Sequence, residues 1–125
     1  MTADELKART KQFALRIIKL IAAMPKSIEG RTIASQLVRC GTSVAANYRA
    51  ACRARSQLEF VAKVGVVLEE ADETQFWLEL IIEAKLLPAK RAQVLLDEAS
   101  ELVAIFVATR KSASSSLQPS ISNLR

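Results

Sequence analysis

Arg49, Arg53 and Arg55 crowd the end of one predicted helix, with Lys63 a few residues further on. A guanidinium presents a planar fork of donors that fits a phosphate or carboxylate bidentately, so this cluster points to anion binding. A second cluster, Glu69, Glu70, Asp72 and Glu73, raises the question of a metal site. Di-metal helical bundles combine carboxylates with Glu-x-x-His pairs from facing helices. This chain has no histidine, so no metal site is expected. The same absence excludes Ser/His and Cys/His nucleophile pairs and removes the commonest nitrogen ligand of zinc. No glycine-rich phosphate loop is present. The expected function is therefore non-enzymatic and needs no cofactor, with no catalytic residue to name.

The elements that must position these charges are helices. Half of the 125 residues are hydrophobic, while glycine and proline number three each. Ala, Leu, Glu, Lys, Arg and Gln are abundant and favour helix, and no long alternating run suggests strands. Helix 1 is predicted to start at Thr2, where Thr-x-x-Glu with Glu5 reads as a capping box, and to end at Met24-Pro25. Leu6, Phe13, Ile17, Leu20 and Met24 give it one apolar face. Helix 2 starts at Ser27 and carries the stripe Ile33, Leu37, Cys40, Val44, Asn47 and Ala51. Its small residues Ala34, Gly41, Ala45 and Ala46 permit close approach. Helix 3 restarts at Ser56 with Glu59, buries Phe60, Val64, Val67, Ala71, Leu78 and Ile82, and runs to about Leu86. Pro88 suits the first turn of helix 4, whose buried face is Ala92, Leu95, Ala99, Leu102 and Phe106.

Four amphipathic helices with short breaks predict an all-α, antiparallel up-down-up-down four-helix bundle over residues 1–110. Residues 111–125, which include "SASSSLQPSISNLR", read as a Ser-rich disordered tail. The longest apolar run, Leu102 to Ala108, is far short of the roughly 20 residues that span a bilayer. With no signal pattern at the N-terminus, a cytoplasmic protein without membrane contact is expected. Cys40 and Cys52 fall on one helix about 18 Å apart along its axis and cannot bridge, so they read as reduced thiols.

The formal net charge is +5, but placement says more than the total. Folding the helix 2–3 hairpin sets Arg39 opposite Glu70 and Arg31 opposite Glu79, as interhelical ion pairs. The up-down topology then collects Lys7, Arg9, Lys11, Arg49, Arg53, Arg55, Lys63, Arg110 and Lys111 at one end, against Asp4, Glu5 and Glu59. Nine cations against three carboxylates leave an excess of six, more than the whole chain carries. This basic pole suits RNA or DNA, bound by its phosphates and sensitive to salt. Tyr48 is the only aromatic near it, so stacking on single strands is limited.

Two further residues stand out. Asn47 lies on an apolar stripe, where a buried amide must be hydrogen-bonded or costs about 1–3 kcal/mol. It is expected to set how helices meet or how subunits associate, as a core asparagine does in coiled coils. Phe76 and Trp77 are adjacent and face different ways. Trp77 is expected at a subunit interface and Phe76 in the core. Gly41 and Gly65, both mid-helix, are expected to mark close packing.

The stretch "SQLVRCGTSVAANYRAACRARSQLEFVAKVGVVLEEADETQFWLELI" resembles the bacterial 23S rRNA-intervening-sequence protein family. The matching residues are Gln36, Leu37, Arg39, Ser43, Val44, Ala46, Asn47, Ser56, Glu59, Phe60, Glu69, Glu70, Glu73, Trp77 and Leu78. Tyr48-Arg49-Ala50-Ala51 replaces the Ile-Ala-Glu-Gly of much of the family and suggests a different branch. The resemblance implies a four-helix bundle that assembles into a ring-like homopentamer, with no established catalytic activity. The chain is also similar to the accessory protein of diversity-generating retroelements, which implies nucleic acid and a reverse transcriptase as partners. A scaffold that binds another protein and no nucleic acid is the alternative.

Overall fold

In a computed structural model that describes residues 1–117, four helices follow one another: α1 (Ala3–Ile21), α2 (Ile28–Ala51), α3 (Gln57–Glu83) and α4 (Ala89–Ser115). The three predicted starts are set by hydroxyl caps. Thr2 Oγ1 accepts from the Glu5 amide, Ser27 Oγ from Gly30 and Ser56 Oγ from Glu59, each at 3.1 Å. Each bond satisfies one of the orphan amides of a first turn. Pro88 stands just before α4, at its cap.

Each helix packs on its sequence neighbours, and α4 closes the bundle against α1. The cross-helix contacts run in opposite senses along the chain, as antiparallel pairs require. Gln57 reaches Ala113 and Gln75 reaches Ser100 across α3–α4, while Arg39 reaches Glu70 and Glu73 across α2–α3. The core is apolar, with Phe13, Ile17, Leu37, Val44, Val64, Val67, Leu78, Leu102 and Phe106 fully buried. Tyr48 and Phe106 meet across it with ring centroids 5.3 Å apart.

Several expectations change. Helix α4 continues past Lys111 to Ser115, so the tail does not begin where the apolar pattern fades. Its last turn is held from α3: Gln57 Nε2 donates to the Ala113 carbonyl and to Ser116 Oγ, both at 3.2 Å, over a buried Ala113. The rest of the predicted tail, 118–125, lies outside the described residues. On α3, Ile81 is fully buried and Ile82 only half, and Thr74 joins the core with its hydroxyl satisfied by the Glu70 carbonyl at 2.7 Å.

Helix α3 ends earlier than Leu86, by a local device. Lys85 adopts φ 56°, the Leu86 amide donates to the Ile81 carbonyl and the Lys85 amide to that of Ile82. This is a Schellman closure with lysine where glycine is favoured. Gly41 does mark a close approach: a Cβ there would lie 3.0 Å from two Ile17 side-chain carbons. Gly65 does not; it is covered by the Arg110 guanidinium, which a Cβ would meet at an ordinary 3.4 Å.

Candidate nucleic-acid interface

The seams of the bundle divide the arginines into two kinds. Arg39, at the α2–α3 seam, pairs with Glu70 at 3.2 Å and with Glu73. Glu73 also accepts from Trp77 Nε1 at 3.0 Å. That indole bond, then Arg39, holds the Glu73 carboxyl below its ordinary pKa. Arg9, counted with the basic pole from the sequence, sits instead on the α1–α4 seam. Its Nε and Nη2 donate to Glu98 at 2.8 and 2.7 Å, and Glu101 lies 3.5 Å away. Its charge is consumed inside the fold. Arg31 forms no ion pair with Glu79 or any other carboxylate among the described residues.

The other kind faces an open groove between α1 and α2, about 630 Å³ in volume. Lys7 and Lys11 line it from α1, one helical turn apart, and Arg49 and Arg53 from the end of α2. Ala8, Ala45 and Ala46, with Thr42 and Cys52, complete its lining. Thus Ala45 and Ala46, read from the sequence as close-packing residues, leave an unfilled trough between two cationic walls. The α-helix that supplies Arg49 ends there, so its C-terminal dipole favours the cation. The carboxylate nearest these four, Asp4, pairs with Lys7 at 3.2 Å and is itself 92% exposed. Lys11, Arg49 and Arg53 have no ion-pair partner among the described residues.

The remaining predicted cations are not in this groove. Arg55 borders an adjoining hollow with Ala3, Tyr48 and Ser56. Arg110 and Lys111 lie on the α3–α4 flank with Leu68 and Val107. Lys63 is half-buried and unpaired among the described residues. The single basic pole read from the sequence is therefore one concentrated groove plus separate peripheral charges.

No aromatic side chain that could stack on bases lines the groove among the described residues. Tyr48 is 4% exposed, and burial, followed by its contact with Cys52, pushes its hydroxyl pKa up. The Thr42 hydroxyl donates to the Val38 carbonyl of its own helix at 2.6 Å. Burial likewise raises the Cys40 thiol, which is enclosed in the core.

Asn47 is half-buried, and its Nδ2 donates to the Ser43 carbonyl at 2.9 Å, one turn back on α2. Among the described residues its amide bonds only to its own helix and ties α2 to no neighbour. Phe76, expected in the core, is instead at the surface. Phe76 is 51% exposed, whereas Trp77 is half-buried against the core, with the rings edge to face at 5.0 Å. The signal was available: Trp77 falls one turn after Glu73, within reach of an indole N–H.

No helix among the described residues is long and apolar enough to cross a membrane. No curated protein matches the chain. A crystal structure of a protein of unknown function from the S23 ribosomal protein family of Bacteroides thetaiotaomicron superposes with a TM-score of 0.82 at 29% identity. The match covers 89% of this chain and 99% of that one. Residues 5–108 match the family described as 23S rRNA-intervening sequence protein, and with nearly the whole bundle inside that match, the chain belongs to this family.

Proposed function

We propose that this protein is a non-enzymatic, homo-oligomeric helical bundle that binds RNA or DNA by phosphate contacts along the α1–α2 groove. The observation that carries the reading is the convergence of Lys7, Lys11, Arg49 and Arg53 on one trough that holds no carboxylate. Two helices deliver these cations to facing walls, and small alanines between them let a phosphate chain approach. Four such contacts attract any polyanionic backbone and release its counterions, without reading sequence. Arg55 extends the positive surface into the adjoining hollow. Association of subunits side by side, as in a homopentamer, repeats the groove around one rim and multiplies weak contacts into avidity.

The test is the mass and bound material of the purified protein, by light scattering with the 260/280 nm absorbance ratio over a salt series. The expected result is an oligomer that carries nucleic acid at low salt and sheds it at high salt. A clean oligomer that takes up no RNA or DNA at low salt overturns the binding reading, and a monomer overturns the assembly.

A further inference from the structure

The outward stripe of α3 is unusual for a helix that faces water. Leu58, Ala62, Val66 and Phe76 share it with Glu69, Asp72, Glu79 and Glu83 at helical spacing, and all eight are exposed. Leu58 is 70% and Phe76 51% exposed, and none of the four acids is in an ion pair among the described residues. A protein with a net charge of +5 thus carries an uncompensated acidic stripe with an aromatic at its middle.

The same chain carries the complement. The outward ridge of α1 exposes Leu15 and Ile18 (53% and 47%), with Lys11 and Lys19 on either side and no carboxylate paired to either. Helices α1 and α3 each pack on α2 and α4 and not on each other, so they occupy opposite corners. Their outward faces look away from one another and cannot meet within one molecule.

We propose that the α1 ridge of one copy docks on the α3 stripe of a second copy, with Leu15 and Ile18 against Phe76, and Lys19 facing the acids. This rests on the reading that the chain assembles, and adds which faces meet and in what sense. A symmetric contact of either face with itself would set lysines against lysines or acids against acids, which like-charge repulsion opposes. The contact is therefore heterologous: every copy offers one face of each kind, so copies add head to tail, and the rotation between neighbours decides whether a ring closes. Exposed charge pairs add little affinity, so the apolar residues hold the contact while the charges fix its orientation. The groove lies on the α1–α2 flank and stays beside the junction.

The test is mass by size exclusion with light scattering on the full chain, with circular dichroism and melting to show that each variant is folded. Ile18→Glu is expected to give monomer. Ile18→Lys, which removes the same apolar group but faces the acids with a cation, is expected to retain assembly at tenfold higher concentration. Phe76→Glu tests the other face independently and is expected to give monomer. Lys19→Glu and Asp72→Lys are each expected to weaken assembly, and the two together in one chain to restore it. An oligomer whose mass is unchanged by Ile18→Glu and Phe76→Glu overturns this pairing of faces and leaves assembly standing. A wild-type protein that is monomeric at every concentration overturns both.

Discussion

Replacing Arg49 and Arg53 together by glutamine removes two of the four cations that line the groove and keeps most of each side-chain stem. The size of the effect follows from the count of charges. If each of the four neutralises one phosphate, log Kobs against log salt has a slope of about −3.6 on duplex DNA, and affinity falls about 150-fold between 50 and 200 mM salt. With two cations left the slope is about −1.8 and the same change in salt costs about 12-fold. The assay is fluorescence anisotropy with a labelled duplex short enough to span one groove, titrated at several salt concentrations. Lys7→Gln with Lys11→Gln is expected to lower the slope equally, since those residues line the opposite wall. Arg110→Gln with Lys111→Gln is the control, because both lie on the α3–α4 flank. Arg9→Gln is a second control, its charge being held by Glu98 and Glu101. A slope unchanged by the Arg49/Arg53 pair, or lowered as much by the Arg110/Lys111 pair, refutes the groove as the phosphate site.

Other consequences concern the scaffold, each read by urea or thermal denaturation. Gly41→Ala and Gly65→Ala gain the same helix propensity, about 1 kcal/mol, but only the first presses on the buried Ile17 side chain. Gly65→Ala is expected to stabilise by up to that amount, and Gly41→Ala to destabilise by about 0–2 kcal/mol, since overpacking costs about 1–3 kcal/mol. Lys85→Gly relieves a left-handed backbone and is expected to stabilise by about 1 kcal/mol. The Glu73 carboxyl titrates below its ordinary value of 4.5 in the folded chain, so it contributes stability above that value. The contribution is lost as pH falls through the folded pKa, and Glu73→Gln is expected to flatten the acid limb of the melting curve below about pH 4.5.

The helices were legible because their starts are written in the sequence: Thr2, Ser27 and Ser56 are hydroxyls placed three residues before the amides they cap. The apolar stripes were legible for the same reason, with spacing alone placing Phe13, Ile17, Leu78 and Leu102 in the core. The pairing of Arg39 with Glu70 followed from the hairpin. What failed were features decided by a neighbour in space. Helix α4 continues through a serine-rich segment because Gln57 of α3 holds its last turn. Arg9 leaves the pole because Glu98 and Glu101 reach it from a helix nearly ninety residues away in sequence. Ala45 and Ala46 look the same to a periodicity argument whether a helix covers them or, as here, an open trough does.

That trough separates structural from functional charge. Arg9 and Arg39 each face two carboxylates across a seam, an arrangement that fixes helix register and explains itself. Lys7, Lys11, Arg49 and Arg53 do the reverse. Two helices bring four like charges to one groove, where like-charged neighbours oppose folding by a few tenths of a kcal/mol each, about the size measured for helix pairs. Glutamate at positions 7 and 11 would convert the groove into an ion-paired seam like the other two, on a helix that already tolerates acids at Asp4 and Glu5. Apart from the exposed Lys7–Asp4 pair, the bundle gains no ion pair among the described residues from keeping lysines there. On the proposed reading, an external polyanion supplies the missing counter-charge, and the small alanines of the groove leave the space in which it fits.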